Sequence, residues 1–302
     1  MTVDKMHDRT TDYARKVVRG EILASRKNIL SCERHLRDMN LKVLNYHFDV
    51  EKANRVLSFI ELLPVPKTME NMDLKQFQCY IIGSLFGWVD SLGNRRFTEA
   101  YISMARKNCK TLLLAGIALH DLLLGQEPKF ERTIGIVSNT QAQANLAWKD
   151  AETQLKSLRK VSKGTKDITK ITPSIHELMN VKDRSVIKSY SREADNLEGA
   201  QISTGIIDEA HLLKDTKVYE GIARGQTLLK NSSLYFISTA GSDLNAPFYD
   251  EYNYVTKILE GEETNENYFV FCAEQDSEDE MHNSETWIKS NQIGRASCRE
   301  RV

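Results

Sequence analysis

The stretch YISMARKNCKTLLLAGIAL, residues 101–119, decides how the rest of the chain is read. A short alternating apolar run leads into basic and polar residues, then a Lys-Thr pair, then an apolar block with helical spacing. A strand that delivers a loop to the amino end of a helix makes an anion site, because unpaired backbone N–H groups and the helix dipole converge there. Residues 104–111 sit at that junction, so Arg106, Lys107, Asn108, Cys109, Lys110 and Thr111 form a candidate phosphate-binding loop. Lys110 would reach the terminal phosphates of a nucleotide as a point charge, Arg106 would add a second positive charge, and the Thr111 hydroxyl would ligate magnesium. The same residues would also make an ordinary basic loop before a core helix, so the loop alone does not settle the chemistry.

Two later segments extend the pattern. In STGIIDEAHLL, residues 203–213, a buried strand ends on two consecutive carboxylates. At a strand end, Asp208 would hold magnesium and Glu209 would orient and deprotonate an attacking water. His211 follows, either as a packing residue or as a coupling group. In SLYFISTAGSD, residues 233–243, another apolar strand ends on Ser238, Thr239 and Ala240, small residues suited to sensing whether a γ-phosphate is present. Upstream, DLKQFQCYIIGSLFGW, residues 73–88, offers Phe77 and Gln78 as an aromatic and an amide that could meet adenine; core packing is the alternative for Phe77.

Between these motifs short apolar strands alternate with longer helices. Strands are expected at 101–103, 133–138, 186–190, 204–207, 234–239 and 268–273, with helices at 111–124, closed by Gly125, and 141–158. Such alternation implies an α/β fold with a mainly parallel central sheet flanked by helices. The order of adenine reader, phosphate loop, acidic strand end and hydroxyl strand end is that of a RecA-like P-loop ATPase. Ahead of it lies a helical segment: Tyr13, Val17 and Ile22, then Ile29, Cys32, Leu36 and Met39, recur at helical steps. Asp49 is a candidate cap for a further helix through Val50, Ala53, Leu57, Ile60 and Leu63, which LPVPK stops. The expected division is a helical segment over 1–66, the ATPase over 67–274, a connector over 275–293, and a foreign tail over 294–302, within IGRASCRERV.

Composition narrows the partners. Of 302 residues, 41% are hydrophobic and 27% charged, enough for a substantial core. The formal net charge of −1 supplies no global basic field, so contact with a polyanion must rest on local clusters. One such cluster is KSLRKVSKGTKDITK, residues 156–170, which reads as a solvated loop or a DNA contact. The acidic run EQDSEDEMHNSE, residues 274–285, reads as a solvated connector rather than a metal site. Five scattered cysteines without metal-ligand spacing fit reduced thiols, and no apolar run approaches a bilayer span.

Taken with VVRGEILASRKNILSCERHLRDM (17–39), FDVEKANRVLSFIELL (48–63), LFGWVDSLGNRRFTEAYISMARKN (85–108) and STAGSDLNAPFYDEYNYVTKILEG (238–261), these motifs resemble the large terminase subunit of tailed bacteriophages, over most of the chain. The resemblance implies an ASCE-type ATPase, whose catalytic glutamate directly follows the magnesium aspartate, using ATP and Mg2+ to drive double-stranded DNA into a procapsid. It implies a homo-oligomeric ring on a portal protein, a small terminase subunit as partner, and action in the host cytoplasm, with no membrane. In that reading Gln78 falls at the adenine motif, Arg106, Lys110 and Thr111 in the phosphate loop, Asp208 and Glu209 at the acidic motif, and Ser238, Thr239 and Ala240 at the coupling motif. Two departures stand out. Cys109 occupies the place of the glycine that such loops carry before their lysine, where backbone approaches phosphate and φ can be positive. The nuclease that follows the ATPase in this family is expected to be missing. Two other readings compete: a non-hydrolysing DNA-binding or assembly relic, suggested by Cys109, and a helicase-like DNA translocase, suggested by DEAH.

Overall fold

The computed structural model describes residues 7–41, 45–192, 197, 200–241 and 243–293; the tail expected over 294–302 lies outside them. In chain order the elements begin with α1 (Arg9–Val18), α2 (Arg26–Asp38), β1 (Tyr46–Phe48), α3 (Val50–Glu61), α4 (Gln76–Gly87), β2 (Trp88–Asp90) and β3 (Glu99–Ser103). Next come α5 (Lys110–Leu124), β4 (Thr133–Ser138), α6 (Gln141–Val161), α7 (Lys163–Ile168), β5 (Thr169–Thr172), β6 (Glu177–Asn180) and β7 (Ser185–Ser191). The chain continues through β8 (Ile202–Asp208), α8 (Lys217–Gln226), β9 (Ser233–Ser238), α9 (Pro247–Glu260), β10 (Tyr268–Cys272) and α10 (Glu278–Met281). None of the described helices is long and apolar enough to cross a membrane.

Local chemistry sets most helix starts. The Asp8 carboxylate accepts from Thr11 N, the Ser25 hydroxyl from Asn28 N, and Asp49 from Lys52 N at 2.8 Å, each satisfying an otherwise orphaned first-turn donor. Thr140 and Gln143 make a reciprocal capping box at α6. Two expectations need correction. Ile22 does not continue the first helix, because Gly20 adopts a left-handed φ of 73° just past its end and turns the chain away. The lysine-rich stretch expected as a loop is instead the last turn of α6, then α7, then β5. Ser162 joins the two helices, ending α6 while its hydroxyl accepts from Thr165 N, the first-turn donor of α7.

The chain divides into two compact units built from interleaved segments. The first comprises residues 1–58, 74–108 and 254–302. Within it β10 pairs with β3 in parallel, from Tyr268 opposite Glu99 to Cys272 opposite Ser103, and β1 pairs with β2 as an antiparallel ribbon. Its core is aromatic: Tyr13, Tyr80, Trp88, Phe269 and Phe271 are all buried, and α4 is covered on every side. His35 is buried in this core. Its Nδ1 accepts from Trp88 Nε1 at 2.9 Å and its Nε2 lies 2.9 Å from the Thr11 hydroxyl.

The second unit comprises residues 59–73 and 109–253. Its sheet runs β9-β8-β4-β7 in parallel and is extended by the antiparallel strands β6 and β5, which the alternation pattern did not announce. Helices cover both faces, as successive residues of β8 record. The Thr204 hydroxyl donates to Asp121 Oδ2 of α5 at 2.7 Å, while Gly205 points the other way, where a Cβ would meet Ile222 of α8 at 3.0 Å. α5 is apolar nearly all round and almost wholly buried, as a central helix must be. The expected α/β fold with a mainly parallel, helix-flanked sheet is therefore what the chain forms.

Candidate functional site

The carboxyl ends of β4, β8 and β9 in the second unit gather the chemistry. Because Thr204 bonds to α5, alternate positions along β8 place Ile206 and Asp208 on that same face. α5 runs against the strand direction. Its late residue Asp121 meets Thr204 at the start of β8, so its first residues, Lys110 and Thr111, come level with Asp208 at the strand's end. Lys110 and Asp208 are both buried, and Thr111 is half-buried.

Burial pushes the Asp208 carboxyl up to about 6, helped by the neighbouring Glu209 charge and opposed by Lys110. Its Oδ1 is buried with no hydrogen-bond partner among the described residues. An unmatched buried carboxylate oxygen costs about 1–3 kcal/mol or more when charged, so the edge is built at a cost to the chain alone.

Glu209 turns the chain sharply. It sits in the left-handed region at φ 54° and opens a short 3-10 turn over Ala210–Leu212, while its N–H donates to Ile237 O at 2.9 Å. From there its Oε2 accepts from the Thr239 hydroxyl at 3.4 Å and lies 3.3 Å from His211 Nδ1. His211 Nδ1 is also 2.8 Å from Ser238 Oγ, which accepts from His211 N at 3.1 Å. The acidic and hydroxyl strand ends are thus one hydrogen-bonded network with His211 between them. Gly241 permits this contact, since a Cβ there would lie 3.0 Å from His211 Cβ. Ala240 is exposed beyond the strand end.

At the start of α5, Cys109 is the amino-terminal cap and adopts φ 58°, ψ 31°, the left-handed conformation that glycine takes without penalty. Its side chain is exposed and forms no disulfide.

The remaining expected residues belong to the first unit. Arg106 and Lys107 are exposed, and Lys107 has φ 66°. Asn108 is buried, its amide nitrogen donating to Ala105 O at 3.0 Å and Ser290 O at 3.3 Å. Ala105 N also donates to Ser290 O, so the connector segment holds this loop from behind. Phe77 is buried and stacks against Phe271 at 6.2 Å, which makes it a core residue. The Gln78 carbonyl oxygen accepts from Lys75 N at 2.9 Å, capping its own helix. In the acidic run, Asp276 and Glu280 both bond Lys289.

Sequence reading passed over Ser138 and Asn139 at the end of β4. Ser138 is fully buried, and both Ser138 Oγ and Asn139 Oδ1 are buried without a partner among the described residues. A signal was present: β4 ends in a hydroxyl residue, as β9 does at Ser238.

These donors fit a magnesium nucleotide. A hard divalent cation takes oxygen ligands; Asp208 has an unmatched oxygen and feels the Lys110 charge, and the Thr111 hydroxyl follows Lys110 in the first turn of α5.

The family model described as terminase large subunit, ATPase domain, matches residues 76–257. Among solved structures, the HK97 bacteriophage large terminase is similar over 80% of this chain and 48% of that one, at 23% identity and a TM-score of 0.65, a likeness of fold. The ATPase domain of the Thermus phage P74-26 large terminase aligns over 70% of this chain and 88% of that one, at 16% identity and a TM-score of 0.47. The chain therefore spans about half, 48%, of the HK97 terminase's length. No curated protein sequence gives a significant match.

Proposed function

The chain belongs to the terminase large-subunit ATPase family, and from that premise we propose that it binds ATP with magnesium and hydrolyses it to drive double-stranded DNA into a procapsid. One observation supports this above the others: a buried aspartate with an unmatched oxygen faces a buried lysine at the first turn of a central helix. Nothing in an apolar core requires that pair, whereas a metal triphosphate requires both members.

In this reading Lys110 neutralises the terminal phosphates, and the amino end of α5 adds backbone N–H groups and its dipole. Thr111 and Asp208 would hold magnesium, which supplies charge neutralisation on the phosphoryl oxygens as hydrolysis proceeds. Glu209 takes a proton from the attacking water. Its left-handed backbone and its contacts with Thr239 and His211 fix where its carboxylate points. Ser238 and Thr239, joined to the acid and to His211, together with Ala240 after them, relay the state of the phosphates to movement on DNA. Arg106, Lys107, Asn108 and Cys109 complete the loop, and Gln78 meets the adenine. A homo-oligomeric ring, a portal protein and a small terminase subunit in the host cytoplasm complete the assembly. Contact with DNA is phosphate-directed and therefore weakened by salt.

Substituting Glu209→Gln tests the assignment. Retained binding of ATP with hydrolysis lowered about 10²–10⁴-fold is expected for loss of a general base; hydrolysis at the parent rate would remove Glu209 from its role. A second reading, a motor relic that keeps the fold without hydrolysis, draws on Cys109, whose left-handed φ and exposed side chain lie where phosphate would approach. The Cys109→Gly form decides between them. Turnover rising at least tenfold supports an impaired motor, and equal rates would defeat the idea that Cys109 impairs it.

A further inference from the structure

We infer that Ser138 is a positioning residue for the divalent cation, sharing with Asp208 the task of holding the ion's water shell. This rests on the nucleotide reading of the same edge and extends it to a strand outside the three expected motifs.

Register supplies the geometry. β4 and β8 are parallel neighbours with Ile134 opposite Thr204, Ile136 opposite Ile206 and Val137 opposite Ile207, so Ser138 stands opposite Asp208, one residue further on. Residues opposite one another in a parallel pair project to the same face. That face is the one Thr204 identifies by bonding to Asp121 of α5. The Ser138 hydroxyl and the Asp208 carboxylate therefore point side by side toward the helix that begins with Lys110 and Thr111.

Both are short of partners. Ser138 is fully buried and its Oγ has none among the described residues; Asp208 is 6% exposed and its Oδ1 likewise has none. A hydroxyl and a carboxylate oxygen are natural hydrogen-bond partners, yet the two do not bond each other. Two unmatched oxygens side by side in one core are rare in folded proteins, and a body that donates to both resolves the shortage of the two acceptors. A hydrated divalent cation does this, because its bound waters are strong donors to a carboxylate and to a hydroxyl oxygen. Magnesium gives up its waters reluctantly and is usually held through several of them, so a neutral hydroxyl suits the outer shell. Ser138 then needs no charge. It orients the water network that Asp208 anchors, in the way outer partners generally fix metal sites.

The test reads metal dependence rather than turnover. Magnesium is titrated against a fluorescent ATP analogue bound to the 302-residue chain and to its Cys109→Gly form, with manganese electron paramagnetic resonance as a second signal and thermal melting in parallel. Ser138→Ala is expected to raise the magnesium needed for half-maximal binding about tenfold, leave binding in chelator unchanged within twofold, and broaden the manganese spectrum's distribution of environments. Ser138→Thr, which keeps the hydroxyl, restores the parent midpoint. Should alanine unfold the strand, Ser138→Cys, nearly isosteric but a weak hydrogen-bonding group, replaces it with the same expectation. A Ser138→Ala midpoint within twofold of the parent, while Asp208→Asn shifts it, overturns the inference alone; the hydroxyl then merely holds a structural water. If neither parent form shows any magnesium dependence, the nucleotide reading itself falls and takes this inference with it.

Discussion

Two buried aspartates, one in each unit, are treated oppositely. Asp38 is 3% exposed, and both its oxygens are matched, Oδ1 by Arg37 Nε at 3.1 Å and Oδ2 by Arg96 Nη2 at 2.7 Å. Asp208 is 6% exposed and leaves one oxygen unmatched. Arg96 is itself fully buried, bonds the Glu266 carboxylate and backbone, and lies over the Trp88 and Phe97 rings. Burial alone therefore does not tell these two acids apart. What distinguishes them is whether the fold has already supplied the partner.

The strongest way to break this comparison is to remove the partner in the first unit. Arg96→Ala takes the hydrogen-bond partner from Asp38 Oδ2 and from the neighbouring Glu266, leaving Arg37 on Oδ1 and only a longer Arg34 contact to each, and stability measured by urea unfolding is expected to fall by about 3 kcal/mol, the low end of the cost of breaking a buried ion pair. A loss below about 1 kcal/mol would place Asp38 among ordinary surface pairs.

Next in size is a pH effect in the same core. Burial holds the His35 imidazole down to about 3, so the folded unit keeps it neutral while the unfolded chain protonates it near 6.5. A depressed histidine contributes stability that is whole above 6.5 and is lost as pH falls toward 3, at about 1.4 kcal/mol per pH unit. Unfolding followed between pH 7 and 4.5 should show this slope in the parent and a flatter one in His35→Gln.

Asp208 gives the opposite sign. Its carboxyl is raised to about 6, so the folded state carries a penalty that is absent below the ordinary carboxylate range and complete above 6. Asp208→Asn should raise apo stability at pH 7.5 by about 2 kcal/mol, with the gain vanishing near pH 4, while removing magnesium-dependent nucleotide binding. A destabilised variant at pH 7.5 would mean that the aspartate serves the fold after all.

The smallest effect concerns the loop. Cys109→Gly relieves a left-handed backbone, and about 1 kcal/mol of stabilisation is expected, since the cost of that conformation for a side-chain-bearing residue is of this order. Thermal melting of the two forms measures it. No gain would show that the cysteine side chain compensates the strain.

Legibility followed periodicity. Thr133–Ser138 and the start of α6 at Gln141 are bounded by residues whose local preferences agree with their packing, and they are found where the pattern puts them. β6 and β5 were hidden, because antiparallel edge strands of four residues carry too short an alternation to stand out beside the charged segment before them. In the candidate site, Lys110, Thr111, Asp208 and Glu209 could be singled out from sequence because each pair stands in consecutive residues at the end of a strand or the start of a helix. Ser138 was not, since a lone serine at a strand end is unremarkable until register sets it opposite an aspartate. The division into interleaved units was equally hidden, because it depends on contacts between segments far apart in sequence.

The carbonyl of Ser290 has a practical consequence for anyone shortening this protein. It receives both the Ala105 N–H and the Asn108 amide across a span of 182 residues, and Gln292 beyond it receives the Tyr13 hydroxyl. A trimmed version stopping at 274, where the strands end, would strip one of two acceptors from the buried Asn108 amide, in the residue just before the cap of α5. The smallest self-sufficient piece thus reaches at least to residue 292, and limited proteolysis should spare this stretch if those bonds hold in solution.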